Sequence, residues 1–459
     1  MNSRIRFLLP LFPVLAVFAL TATSAPDAPT PPNWKAGAAS AKITPKEPMW
    51  MAGYASRTKP SEGVELDLFA KALVLTDETG SSFALVTLDL IGVPRELRLA
   101  VATRAKEEHG IAPENLTLNA SHTHSGPELR ASKSNGTDDA AKRGAEATAY
   151  TTALENTIVT LIGEAMQQAQ PAHLDYSSAR CGFSMNRRTP DGKGGWSNFP
   201  NPDGPVDQAV PVLQAQDATG KPIAIVFGYA CHCTTLGHQK FSGDYAGYAQ
   251  AEVEGAHPGA VAMFMNGCSG DQNPYPRRTS DLAMTHGKSL ATAVEAALTT
   301  HMKRLKGPIR SGYREIPLRY EKPPTAAEFK ERADSKDKWT AIHARRMLER
   351  IETEGGLPES YPYPVQVIRL GPDLTWIALG GEVVVDYSLR LKREMKDPIL
   401  WVSGYSNDVI GYIPSRRVWD EGGYEGGGSM IYGSHPGRWS DQTETDIIDT
   451  IFAIRATLE

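Results

Sequence analysis

The chain has 459 residues, with 48 Lys plus Arg against 53 Asp plus Glu, a formal charge of −5, and 41% hydrophobic residues. That is globular material, long enough for one large α/β unit or about two to three domains of ~100–200 residues, and it excludes a collagen, a disordered tail and a small disulfide scaffold. So mild an acidic balance offers no basic field for a polyanion, so nucleic acid is not an expected partner.

Arg4 and Arg6 precede an apolar run from Phe7 to Leu20, followed by the small residues Thr21-Ala22-Thr23-Ser24-Ala25. This is the form of a secretory signal peptide. The run is shorter than the ~20 residues that span a bilayer, and Pro10 and Pro13 interrupt it. Residues 1–25 are thus expected to be a signal peptide, 26–34 a Pro-rich linker and 35–459 a single domain, placed outside the cell or in a periplasm. The four cysteines, Cys181, Cys231, Cys233 and Cys268, are too few for a disulfide framework and are expected as buried free thiols.

Residues 82–90 read as an apolar strand, 95–109 have helical spacing, and 115–120 are extended again, which makes a βαβ unit. A second unit follows: strand 222–229, helix 245–255, strand 260–265 and a longer helix 282–305. Two such units predict an α/β fold, a mixed or parallel sheet with flanking helices. Residues 326–354 are charged with spaced apolar positions and suggest one or two solvated helices. Strands 365–370 and 374–379 are separated by Gly371-Pro372-Asp373, a hairpin or a step within a sheet. A strand from Ile399, a Gly-rich loop at 422–428 and a helix at 443–456 complete the chain.

Candidate chemistry gathers where strands end, the place at which open α/β sheets bind ligands. After 115–120 comes Ser121-His122-Thr123-His124-Ser125-Gly126-Pro127; an extended His-x-His puts both imidazoles on one face and suits zinc or another borderline metal. After 222–229 comes Cys231-His232-Cys233, where His232 points away from both cysteines and is read as a ligand, with the cysteines as packing. After 260–265 comes Gly267-Cys268-Ser269-Gly270-Asp271-Gln272-Asn273-Pro274, either a ligand-orienting loop or a plain turn. Glu382 follows Gly380-Gly381 and is a metal ligand or a charge at a helix N-terminus. The Tyr- and Gly-rich stretches 404–414 and 423–426 suit a pocket wall, with no role assignable to any one tyrosine.

In this order, His122-Thr123-His124-Ser125-Gly126-Pro127, Asn186-Arg187, His232, Gly270-Asp271, Gly380-Gly381-Glu382, the stretch from Asn407 to Tyr412, and Tyr424-Glu425 resemble the neutral/alkaline (non-lysosomal) ceramidase family. The opening Ala41-Lys42-Ile43-Thr44-Pro45 through Met51-Ala52-Gly53-Tyr54 resembles it too. The resemblance implies a zinc-dependent amidase fold and one Zn2+ held by His122, His232, Glu382 and Tyr412. It places His124 and Arg187 in the substrate pocket and Tyr424 at the scissile group, with a small molecule or lipid as substrate, whether a sphingolipid, an N-acyl amino acid or an amide-linked sugar. It brings peripheral membrane contact only through such a lipid and no obligate protein partner. Two departures stand out: Asn273 occupies the catalytic-region position where the family's ceramidases carry a serine, so no acyl-serine can form there, and no carboxy-terminal immunoglobulin-like domain is expected. The chemistry implied is hydrolysis of an N-acyl bond by a zinc-activated water, with His124 as general acid or base and Tyr424 and Arg187 stabilising the oxyanion. An ester or glycosidic bond, or carbohydrate or lipid binding without catalysis, are the alternatives.

Overall fold

The computed structural model describes residues 32–130 and 139–459, so the expected signal peptide lies outside the described residues. β1 (Trp34–Lys42), β2 (Phe69–Asp77) and β3 (Ser82–Leu88) run antiparallel, and α1 (Arg95–His109) crosses over to β4 (Leu116–Ala120), parallel to β3. α2 (Ala140–Gln167) leads to β5 (Gln170–Arg180), β6 (Ser184–Pro190), β7 (Trp196–Asn201), β8 (Ala209–Asp217) and β9 (Pro222–Tyr229). α3 (Asp244–Ala256) then crosses to β10 (Val261–Asn266), parallel to β9. β11 (Gln272–Pro274), α4 (Ser280–Leu298), β12 (Lys303–Leu305), β13 (Ile309–Arg319), α5 (Ala326–Ala333) and α6 (Lys338–Glu354) follow. The last third holds β14 (Ser360–Leu370), β15 (Leu374–Leu379), β16 (Glu382–Val383), α7 (Asp386–Glu394), β17 (Ile399–Ser403), β18 (Tyr412–Ile413), α8 (Arg416–Glu421) and α9 (Thr443–Ala456).

Helix ends follow local chemistry. α1 stops at Gly110, whose φ of 72° is left-handed. Thr325 and Glu328 close a capping box on α5, and the Asp337 carboxylate accepts the Thr340 N–H at the start of α6.

Both expected βαβ units exist, but they are not neighbours. The main sheet has the order β10-β9-β8-β5-β1-β2-β3-β4, so the parallel pairs occupy its two edges and antiparallel strands fill the middle. A second sheet, β13-β14-β15-β17, packs on it. Period-two alternation decides which side chain enters which layer. Ala70, Ala72 and Val74 of β2 face α1 and α2, whereas Leu73 and Leu75 face the second sheet. Ile225 and Phe227 of β9 face α3 and α4, whereas Ala224 and Val226 face the second sheet. In β15, Leu374, Trp376 and Ala378 meet the main sheet, while Ile377 and Leu379 meet α7 and α9. The result is helices, sheet, sheet, helices, which explains why β15 is buried on both faces and apolar but for Thr375, whose hydroxyl donates to Asp397.

One expected element is corrected. The helix expected over 282–305 ends at Leu298, where the Thr299 and Thr300 hydroxyls bond back to the Ala296 and Ala297 carbonyls at 2.9 and 2.7 Å. Residues 303–305 instead pair with β5, burying Leu305 against Leu174; long-range pairing overrode the helical spacing. The hairpin across 371–373 forms as β14–β15, and all four cysteines are buried free thiols. Among the described residues no helix is long and apolar enough to cross a membrane.

The junction of the two sheets centres on Trp376, which stacks on Trp401 at 5.2 Å and donates its indole N–H to the Ser403 hydroxyl. Trp376→Ala is expected to lower stability by about 3–5 kcal/mol in urea denaturation, against ~0.5 or less for Leu99→Ala, whose side chain is 45% exposed.

Candidate active site

The carboxyl ends of strands from both sheets meet at one point. The edges of the main sheet are drawn together there: the Asn266 N–H donates to Asn119 Oδ1 at 3.0 Å, the Asn266 amide donates to the Ser121 carbonyl at 2.9 Å, and Asn119 donates to the Gly404 carbonyl at 2.8 Å. The loop after β17 bridges both edges, Ser406 pairing with Asn119 and Ser403 with Gly267.

His122 and His124 do converge, though not because the backbone is extended. β4 ends at Ala120 and His122 has φ 63°, a left-handed conformation that costs on the order of 1–3 kcal/mol and marks a site where geometry is imposed. The turn carries His124 alongside His122, with Nε2 atoms 3.2 Å apart, and the His124 N–H donates to the Cys233 carbonyl, tying this loop to that of His232. β9 likewise stops before His232, at Tyr229. Cys231 and Cys233 pack in the core under α3 and α4, as expected.

Glu382 comes from the second sheet. Gly381, at φ 74°, donates its N–H to the Asp408 carbonyl, and Glu382 pairs in parallel with Tyr412 through β16–β18. Both sides of this segment need glycine. A Cβ at Gly381 would stand 2.8 Å from the Gly411 carbonyl oxygen, and one at Gly270 would stand 2.5 Å from that of Glu382.

The donor atoms form a compact cage. Glu382 Oε2 is 3.2 Å from His122 Nε2 and 3.2 Å from His232 Nε2, and His232 Nε2 is 3.3 Å from the Tyr412 hydroxyl. Ligands of a tetrahedral zinc ion at ~2.0–2.2 Å stand about 3.3–3.5 Å apart, so the spacing fits that ion. The far nitrogens fix the orientation: His122 Nδ1 donates to the Ile91 carbonyl at 2.6 Å and His232 Nδ1 to the Ser269 carbonyl at 2.7 Å. With Nδ1 carrying the proton, each Nε2 turns a lone pair toward a carboxylate oxygen, an arrangement that a cation between them makes favourable. Burial, aided by the Arg187 charge, pulls the His232 pKa down to about 3, so its imidazole is neutral, as a ligand must be. Burial also holds His124 well below the usual histidine range, with His122 and His232 adding to the effect. The ligand atoms of His122, His124 and His232 lie within 4.8 Å of one another, making His124 a further candidate donor.

Arg187 and Asn273 stand beside the cage on the small sheet β11-β6-β7. Arg187 donates to the Tyr412 hydroxyl at 2.8 Å, to Glu425 at 2.8 Å and to Asn273 Oδ1 at 3.3 Å. Asn273 Oδ1 also accepts from the Thr234 hydroxyl at 3.1 Å. Tyr424 is 40% exposed and its ring lies 5.2 Å from that of Tyr412, at the wall of a cleft of about 460 Å³ that opens onto His122, His124 and Glu382. All eight residues singled out from the sequence therefore belong to one neighbourhood.

Two neighbours, Tyr405 and Glu425, were not assigned roles from sequence, and a third, Asp271, expected as an orienter of a ligand or part of a plain turn, instead ties together two segments of the site. Tyr405, fully buried at φ 51°, lays its ring 4.6 Å from that of His122 and 6.1 Å from that of His232, and its hydroxyl accepts from Ser269. Glu425 bridges Arg187 and Arg188. Asp271 accepts from the Val385 N–H and from the Asn186 amide, and its carbonyl accepts the Arg187 N–H, so it joins the Glu382 segment to the Arg187 strand. Position beside a motif was the only signal for Tyr405 and Glu425.

The model of the neutral/alkaline non-lysosomal ceramidase family, amino-terminal region, matches residues 34–290, more than half of the chain. The chain belongs to this family. Neutral ceramidases A and B of Dictyostelium discoideum are each 27% identical to it, over 238 and 239 residues, 47% of this chain and 32% of theirs. The match thus spans about a third of those relatives' length. The crystal structure of neutral ceramidase from Pseudomonas aeruginosa superposes with a TM-score of 0.72 at 20% identity, covering 93% of this chain and 74% of that one. A ceramidase complexed with C2 gives 0.71 at 21% identity, covering 93% and 76%. The ceramidase fold therefore continues well past residue 290.

Gly381→Ala is expected to part Glu382 from Tyr412 and weaken binding of added zinc tenfold or more in competition with a chelator. Gly355→Ala, equally left-handed at φ 77° but with nothing within 4 Å of its added Cβ, is expected to leave zinc binding unchanged.

Proposed function

We propose that the chain is an exported zinc-dependent hydrolase that cleaves the amide bond of an N-acyl compound with lipid character. The observation that carries this reading is the cage itself: two imidazole lone pairs and a tyrosine hydroxyl arranged about one partly buried carboxylate, at the spacing of zinc ligands. Family membership supports it, as does a cleft whose mixed lining includes the apolar and aromatic side chains Trp50, Met51, Trp339, Met430 and Ile431.

His122, His232, Glu382 and Tyr412 would hold one zinc ion, which when bound polarises a carbonyl and lowers the pKa of a water toward ~7. The side chains around it supply the rest. Asn273 has no hydroxyl to acylate, so water is the nucleophile in this reading. His124, neutral and with a buried Nδ1 that has no hydrogen-bond partner among the described residues, takes the proton of the attacking water and returns it to the departing amine. Arg187 reaches the reacting group through the Tyr412 hydroxyl, and Tyr424 faces it from the cleft wall; both are placed to stabilise negative charge on the carbonyl oxygen. Residues 1–25 serve export, to be checked by the amino-terminal sequence of the secreted protein.

The three-histidine grouping favours a second ligand set, with His124 bound to the metal in place of Tyr412. One experiment separates the two. Purified without a chelating tag, the protein is expected to contain one zinc per chain by elemental analysis and to release fatty acid from a fluorogenic ceramide or a simpler N-acyl amide, with loss on chelation. His122→Ala and His232→Ala are expected to lose both zinc and activity. His124→Ala is expected to keep zinc while activity falls ~100-fold or more; loss of zinc would establish the second set. Full activity with full zinc in the His122 and His232 variants would overturn the proposal.

A further inference from the structure

The outer wall of the cleft comes from a segment that this chemistry does not use. Trp339 and Arg346 lie seven residues apart on α6, two turns, so both project from one face, and both line the same cleft as His122 and Glu382. A ladder of rings leads there from the cage. His232 stacks on Tyr412 at 6.3 Å, Tyr412 meets Tyr424 at 5.2 Å, Tyr424 meets Tyr432 at 6.2 Å, and Tyr432 meets Trp339 at 5.5 Å. Arg346 stands at the far end, its Nη1 donating to the Gly433 carbonyl at 2.7 Å.

That carbonyl is its one hydrogen-bond acceptor among the described residues, and its Nε is buried without a partner. Glu349, the acidic side chain whose field reaches it, is exposed on the same helix and makes no ion pair with it. Two other arginines of the cleft have carboxylates, Glu128 forking Arg130 and Asp139 pairing with Arg143, while Arg57, which like Arg346 has no ion pair among the described residues, uses both terminal nitrogens on the His238 and His124 carbonyls and the Gln239 side chain. Among the described residues no carboxylate pairs with this partly buried guanidinium, which is a costly state, and its planar fork matches an oxyanion.

We propose that Arg346 anchors an oxyanion group of the substrate, so that preferred substrates are amides carrying a negative charge many bonds away from the scissile carbonyl. The assignment rests on the reading of the cage as a metal centre that holds that carbonyl. The aromatic ladder, with Met430 and Ile431 beside it, offers an apolar path for a methylene chain between the two ends.

The test is calorimetric binding of two series of alkyl hydroxamates to the zinc-loaded protein, the hydroxamate serving as a metal-binding end. One series ends in a carboxylate and the other in a primary carboxamide, across increasing chain lengths. The carboxylate series is expected to bind more tightly, on the order of tenfold or more, once the chain is long enough to reach Arg346 and not below that length. Arg346→Gln is expected to abolish that preference while leaving the carboxamide series unchanged, and Arg346→Lys to keep part of it. Equal affinities at every length, or a preference that Arg346→Gln retains, would overturn the proposal. Failure of the metal reading has a different signature: His122→Ala would leave both series binding as before. In that case the carboxylate preference and its loss in Arg346→Gln still decide the role of Arg346.

Discussion

A partly buried carboxylate faced by two imidazole lone pairs is the constraint on which the rest of this structure depends. Alone, Glu382 and the nitrogens of His122 and His232 would be acceptors crowded at 3.2 Å, an arrangement that a protein interior does not favour. The surroundings hold it regardless. Backbone carbonyls at Ile91 and Ser269 fix the imidazoles, His122 takes a left-handed turn, Tyr405 is wedged against both rings, and two glycines let the Gly270 and Gly381 loops touch. Backbone strain and close-packed acceptors gathered at one point are compatible with a cation held between them.

The sequence exposed those parts of the fold whose signals are local. Helices 95–109 and 443–456 and strand 222–229 have the extents that spacing predicts, because each begins or ends at a residue whose chemistry stops it or at the edge of an apolar run. The central strands were not legible. β1 reads Trp-Lys-Ala-Gly-Ala-Ala-Ser-Ala-Lys, with no β-branched residue, because α2 lies directly on it: a Cβ at Gly37 would meet the Ala165 carbonyl at 2.1 Å. Small residues chosen for close packing erase the usual strand signal. The order of the sheet is a matter of long-range pairing, which no window along the chain contains.

The site shows the same division. Its histidines and Glu382 stand at strand ends and could be found by chemistry, even though the reason first offered for the His122–His124 pairing, an extended backbone, gives way to a turn. Tyr412 could not be chosen among the tyrosines of its loop on chemistry alone. Its hydroxyl reaches His232 because two residues of β18 pair with β16, a contact between segments thirty residues apart that only the fold creates. Glu425 and Tyr405 bear on the cage only through other side chains and have no chemical signature of their own, while Asp271, legible as a strand-end carboxylate, turns out to brace backbone segments.

This separation of parts has a chemical consequence. The histidines come from the main sheet, and Glu382 and Tyr412 come from the second sheet and the loops after it, so the cage exists only where the two sheets are docked. Docking depends on a thick apolar layer around Trp376 and Trp401, remote from substrate. The outer wall of the cleft belongs instead to α6, which is inserted between two strands of the second sheet and has a small apolar cluster of its own around Phe329, Ala344 and Met347. Side chains on α6 can therefore change which molecules are admitted without moving a donor atom of the cage. In the proposed reading, substrate preference and reaction chemistry fall in physically distinct layers of the same chain, and a family resemblance in the cage speaks to the second far more strongly than to the first.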